Sequence, residues 1–204
     1  MSAALPPPPM TLAEFLAWEE RQELRYEFDG FGPVAMTGGN DEHAGIAHNL
    51  HRAVGGRLPR GGPCRFRGSD LKFLTATGKA RYPDGMVVCS PPVRGATSVA
   101  DPVVVFEVLS PSTAEVDRVE KADEYRETPS VRRYVILEQR LVAATVFTRE
   151  PDGDWVARLV RGEGATLRMP EIGVEVPLAE LYEGLDLGPG DPAAAAAPPS
   201  PGDG

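Results

Sequence analysis

Val103-Val-Val-Phe-Glu-Val-Leu-Ser-Pro-Ser-Thr113 is the stretch whose reading decides the fold. Val103 to Leu109 is a nearly continuous apolar run rather than an alternating one, which predicts a strand buried on both faces. One carboxylate, Glu107, interrupts it. An unpaired carboxylate in such a strand costs several kcal/mol, so Glu107 must be paired, protonated or bound to a metal. About twenty residues upstream, Tyr82-Pro-Asp-Gly85 sets Asp84 at the mouth of a second apolar run, Met86-Val-Val-Cys89. Downstream, Ser112-x-x-Glu115 reads as a capping box opening a helix over 113–127 that carries Lys121. Two acids on strands with a lysine nearby outline a hydrolytic metal site.

Working outward, Thr11-Leu-Ala-Glu14 is another capping box, opening a helix from Leu12 to about Glu20. Tyr26 to Met36 predicts a hairpin with Asp29-Gly30 as its turn. Ile46, Leu50, Val54 and Leu58 recur every four residues, predicting a helix over 41–58 that ends at Gly61-Gly62. Short strands are expected near 64–67, 70–74 and 84–89. Val131–Glu138 and Leu141–Thr148 suggest a hairpin around Gln139-Arg140, and 155–160, 166–169 and 178–185 suggest more strand and a short terminal helix. The plan is α/β in the α+β sense, a mainly antiparallel central sheet flanked by helices. Pro6 to Pro9 and the Pro/Ala/Gly-rich end suit no packed element. The expected division is a tail at 1–10, one domain at 11–187 and a tail at 188–204.

The formal net charge of −9 gives no support to a standing affinity for nucleic acid. Arginine is nevertheless dense in one place: Arg52, Arg57, Arg60, Arg65 and Arg67, with Lys72 close behind. That cluster reads either as a solvated surface or as a basic face for a phosphate backbone. No apolar run is long enough to cross a membrane, and the N-terminus lacks the pattern of a signal peptide, so a cytoplasmic protein is expected. Cys64 and Cys89 are too few and too far apart for a zinc motif or a disulfide framework, and Cys89 reads as a buried thiol. His43, His48 and His51 share the expected helix, but no third ligand stands near them and zinc is disfavoured.

Tyr26-Glu-Phe-Asp-Gly30, His43, Tyr82-Pro-Asp84, Phe106-Glu-Val-Leu-Ser-Pro-Ser-Thr113, Asp117-x-x-x-Lys121, Tyr125 and Tyr134-Val-Ile-Leu137 together resemble the Uma-two family of restriction endonuclease-like proteins. That family is a branch of the PD-(D/E)XK nuclease superfamily, and the resemblance spans about residues 11–185. It implies a restriction endonuclease-like fold and a magnesium-dependent endonuclease acting on phosphodiester bonds of nucleic acid, with DNA the expected substrate. Asp84 matches the motif aspartate and Glu107 the second acid, both expected to hold Mg2+, or Mn2+ in its place, with the backbone carbonyl of Val108. The superfamily's lysine position is Leu109 here. The family resemblance suggests that Lys121 supplies the amine from the following helix and assists the attacking water. Glu27 and His43 match family positions as further candidate catalytic residues.

Each residue also has a plain reading. Asp84 fits a turn, Glu27 a salt bridge, His43 a polar helix surface and Lys121 a solvated helix. Ser110 and Ser112 sit in no nucleophile motif and read as turn and cap residues. The alternative function is therefore a catalytically inactive nuclease-like binding module. A homodimer follows only by analogy with nuclease-like folds.

Overall fold

In the computed structural model, residues 9–36, 38–109 and 119–187 are described. Apart from Pro9 and Met10, the expected tails fall outside them, as do Ser110, Ser112, Glu115 and Asp117 with the second capping box.

The first helix, α1 (Leu12–Glu19), begins as its sequence predicts. Thr11 Oγ1 accepts from the Glu14 amide at 3.2 Å, and Glu14 accepts from the Thr11 amide at 2.8 Å. Its apolar side presents Phe15, which stacks on Phe28 with ring centroids 5.1 Å apart. Phe28 ends β1 (Tyr26–Phe28), which pairs antiparallel with β2 (Pro33–Ala35). The turn between them is longer than a two-residue hairpin. Asp29 Oδ1 accepts from the amides of Phe31 and Gly32 at 2.8 and 2.9 Å, and Gly30 takes the positive φ of 96° that a side chain would resist.

Next come α2 (Asp41–Leu50), a π-helical turn over His51–Gly55, β3 (Arg65–Gly68), β4 (Lys72–Leu74), β5 (Ala80–Arg81), β6 (Gly85–Val88) and β7 (Ser98–Val99). The central strand is β8 (Pro102–Val108), and the described part of the helix after it is α3 (Lys121–Glu127). The chain continues through β9 (Arg133–Leu137), β10 (Ala143–Arg149), β11 (Trp155–Arg161), β12 (Thr166–Met169), β13 (Val174–Pro177) and α4 (Leu178–Leu181).

These strands make a six-stranded sheet, β11-β10-β9-β8-β6-β3, a five-stranded sheet, β2-β1-β5-β4-β7, and the two-stranded β12-β13. Pairing is antiparallel except between β8 and β9 and between β4 and β7. This is the mixed α+β, mainly antiparallel plan that the sequence predicts, with the strands divided among separate sheets. β8 is the interior strand expected from its apolar run, paired on both sides and buried at Val104 to Val108. Alternate residues serve two cores. Val104, Phe106 and Val108 pack with Ile46, Leu50 and Val54 of the long helical segment and with Leu178 and Leu181. Val105 and Leu109 face the other way, with Met86, Tyr134, Ile136, Phe73 and Tyr125. Each such fully buried apolar side chain contributes roughly 1.5–3 kcal/mol. Gly85 is required by close approach: a Cβ there would lie 2.5 Å from the Phe66 ring and 3.1 Å from Leu50.

The cysteines correct the sequence reading. Cys64 and Cys89 form a disulfide rather than leaving a buried thiol at 89. The register Arg65↔Val88 explains it, because one further residue on each strand puts the two cysteines opposite one another. A separation of 25 residues along the chain concealed a cross-strand neighbour.

Candidate active site

The ladder between β6 and β8 ends at Gly85↔Phe106. Asp84 immediately precedes β6 and Glu107 immediately follows Phe106, so the register brings the two acids of the motif to the same end of the ladder. Asp84 Oδ2 accepts the Val108 amide at 2.7 Å, replacing the strand partner that β6 no longer supplies. His43 Nε2 stands 3.2 Å from the same oxygen. His43 sits in the first turn of α2, capped by Asn40 Oδ1 at 3.0 Å from its amide. Gly39 makes room for its ring, since a Cβ at that position would lie 2.7 Å from it.

Glu107 is 4% exposed and satisfies the requirement that its burial sets. Lys121 Nζ lies 2.9 Å from its Oε1, and the Tyr125 hydroxyl donates to that same oxygen at 3.0 Å. The two donors are four residues apart on α3 and therefore share a face. Lys121 is thus a buried, paired group and not a solvated helix residue. It also reaches Glu27 Oε1 at 3.5 Å.

Glu27 comes from β1, in the other sheet, and accepts from the Tyr82 amide at 3.0 Å and from Arg81 at 3.2 Å. Burial raises its pKa, but Lys121 and Arg81 outweigh that and hold it below the usual glutamate value. Burial, then the neighbouring Glu107 carboxylate, push the Tyr125 phenol far upward and keep it a donor. Arg81 is buried and forks onto Glu124, with Nε and Nη2 at 2.8 and 2.5 Å from its two oxygens, and Lys79 adds a contact at 2.8 Å. An alternating chain of charge therefore runs Lys79–Glu124–Arg81–Glu27–Lys121–Glu107. A second buried group, Lys72, Glu19 and the Tyr82 hydroxyl, anchors the segment leading into Asp84.

Of the five sequence candidates, Glu107, Lys121 and Glu27 are joined by side-chain contacts, and Asp84 with His43 forms a pair set beside them on the Val108 amide. Val108 meets Asp84 through its amide. Tyr125 was singled out in the sequence as a family position without a role, and Arg81 and Glu124 were not foreseen as members. Among the described residues, no group of three His, Cys, Asp or Glu side chains is arranged to hold a metal ion, His48 and His51 included. A cavity of about 370 Å3 near Arg140, Glu163, Tyr182 and Leu187 shares no residue with this constellation. No helix of the described residues is long and apolar enough to cross a membrane.

A solved structure from Anabaena variabilis, described as "a putative nuclease belonging to DUF820", superposes with a TM-score of 0.71 over 85% of this chain and 98% of that one. At 14% sequence identity, the likeness is one of fold. Two Synechocystis sp. proteins are similar in sequence. "Uncharacterized protein slr1290" is 32% identical over 90% of this chain and 97% of its own length. "Uncharacterized protein sll1609" is 26% identical over 78% and 91%. The family model "Uma2: Putative restriction endonuclease" matches residues 12–179, a span that includes every residue of the constellation. The chain belongs to the Uma2 family.

Proposed function

We propose that this protein is a metal-dependent endonuclease that hydrolyses phosphodiester bonds of nucleic acid, with DNA as the substrate. The observation that carries this reading is the convergence of Asp84, Glu107 and Lys121: two acids at one end of the β6–β8 ladder, and an amine 2.9 Å from the second. The donor set suits a hard divalent cation, because Asp84 and Glu107 offer carboxylate oxygens and the Val108 carbonyl adds a neutral one. Magnesium is the proposed ion and manganese its substitute. When bound, such an ion neutralises charge on the phosphate and makes water a better nucleophile.

The chain's own residues do the rest. The Val108 amide fixes the Asp84 carboxylate relative to the strand. Tyr125 and Lys121 together fix Glu107 Oε1, so the second acid is oriented before substrate arrives. The Lys121 amine, shared between Glu107 and Glu27, orients the attacking water. In this reading His43, whose Nε2 is 3.2 Å from Asp84 Oδ2, contacts the substrate, and Glu27 maintains the amine's position.

The test is cleavage of supercoiled plasmid and of labelled single strands with magnesium or manganese. Wild type is expected to cut. Asp84→Ala, Glu107→Ala and Lys121→Ala should each reduce the rate by about 100-fold or more. Undiminished cutting by Asp84→Ala or Glu107→Ala would overturn the metal site. Undiminished cutting by Lys121→Ala would remove the lysine from the mechanism.

A further inference from the structure

The arginine cluster at 52–67 divides sharply by environment. Arg52 is paired with Glu183, and Arg57 with Glu180 at 2.7 Å, so the acids around α4 neutralise both. Arg65 spans two backbone carbonyls, Pro63 at 2.8 Å and Ser90. Arg60 is exposed on the turn after the helical segment. Like Arg60 and Arg65, Arg67 makes no ion pair among the described residues, and its guanidinium bonds the carbonyl of its own neighbour, Phe66, at 2.9 Å.

Register fixes where Arg67 stands. It pairs with Met86, and Met86 pairs with Val105. Opposed residues share a sheet face, and Met86 and Val105 lie in the core on the α3 side, whereas Phe66 packs into the opposite core. Glu107 is two residues from Val105 on that same face. Arg67 is thus diagonal to Asp84, the residue that precedes β6, at a separation of roughly 7–8 Å that an arginine readily spans, while Glu107 lies one strand further on. Its strand, β3, is the edge of the six-stranded sheet, and next to it Gly68 has open space where a side chain would stand.

We propose that Arg67 is a phosphate-backbone contact: it binds a phosphodiester of the nucleic acid strand laid across the β3 edge, next to the phosphate over Asp84 and Glu107. A half-buried guanidinium without a carboxylate partner, one strand from Asp84, suits an anionic ligand, and its planar fork matches a phosphate bidentately. The contact also supplies positive charge locally in a protein of net charge −9. The proposal rests on the nuclease reading for its ligand, and the test separates the two.

Anisotropy of a fluorescein-labelled DNA duplex and of its single strand is titrated in EDTA over a range of KCl, alongside plasmid cleavage in magnesium. Arg67→Gln should weaken binding roughly ten-fold. The slope of log affinity against log salt should fall by about 0.9 for duplex or about 0.7 for single strand. Arg67→Lys should keep most of the slope, and Arg60→Gln all of it. Should Arg67→Gln lower the melting temperature, Arg67→Met keeps the aliphatic stem and replaces it. Wild-type binding and salt slope in Arg67→Gln, with cutting intact, would overturn the contact and leave the nuclease standing. An equal loss of slope in Arg60→Gln would also overturn it, as a general charge effect. Arg67-dependent binding without any cutting would support the contact and remove the nuclease. Neither binding nor cutting by wild type would overturn both.

Discussion

Lys121 Nζ lies 2.9 Å from Glu107 Oε1, and the two residues stand on either limb of the crossover between β8 and β9. Parallel strands cannot be joined by a tight turn, so the connection must travel over a sheet face before the chain re-enters. Here α3 lies in that connection and returns a lysine over the strand that was just left. Leu109, two residues past Glu107, is buried against the core on the α3 side, so the cation beside this acid comes from the connection and not from the strand.

Lys121→Met should destabilise the fold by about 3–5 kcal/mol, because it leaves Glu107 buried without its cation. Adding Glu107→Leu should recover most of that loss while cleavage stays absent, since an apolar pair replaces a buried ion pair with little penalty. Urea unfolding of both proteins measures this. A double variant as unstable as the single one would show that the pair is not the source of the cost.

Tyr125→Phe removes one donor from Glu107 and keeps the ring stacked on Phe73 and edge-to-face with Tyr134. The expected loss is about 1.5–3 kcal/mol, the range for a hydrogen bond to a charged group. The magnesium concentration needed for half-maximal cleavage should rise, because the carboxylate is less well oriented. Unchanged stability and unchanged metal dependence would argue against the bond.

Glu27 gives the acid limb of stability a definite sign. Its folded pKa is depressed by Lys121 and Arg81 despite burial, so its ionised form stabilises the fold fully above the ordinary glutamate value of 4.5. That stability is lost as the pH falls through the lower folded value. Glu27→Gln should therefore be less stable than wild type near neutrality and show a shallower decline on acidification. Parallel acid limbs in the two proteins would contradict this.

Reduction of Cys64–Cys89 should cost about 3 kcal/mol, from the loop entropy regained by the unfolded chain across a separation of 25 residues. Urea midpoints with and without dithiothreitol measure it, and Cys64→Ser with Cys89→Ser should match the reduced protein in both conditions. An insensitive midpoint would mean that the loop is already restricted in the unfolded state.

Local patterns were legible where one residue decides its own neighbourhood. The Thr11–Glu14 capping box, the β1–β2 hairpin and the buried strand around Glu107 all follow from spacing within a few positions. Glu107 was the most informative, because an acid in an apolar strand demands a partner. What escaped the sequence was pairing at a distance. Cys64 and Cys89 meet through strand register, and Arg81 meets Glu124 across 43 residues. The division of the strands into two large sheets also left no trace, since a short strand such as Ala80–Arg81 looks the same in either. The basic cluster was legible as composition, but its sorting into paired and unpaired arginines depended on where α4 returned Glu180 and Glu183.

Glu27 belongs to one sheet and Glu107 to the other, with the Lys121 amine between them. The charged constellation therefore sits on a seam, and it is not portable. A graft of β6 with the preceding Asp84, β8 and α3 onto another scaffold would carry both motif acids and the lysine, yet lose the glutamate and arginine that hold the amine in place. The smallest unit that could be exchanged between proteins is both sheets together, so an insertion or recombination boundary between β2 and β6 would divide a working part rather than join two.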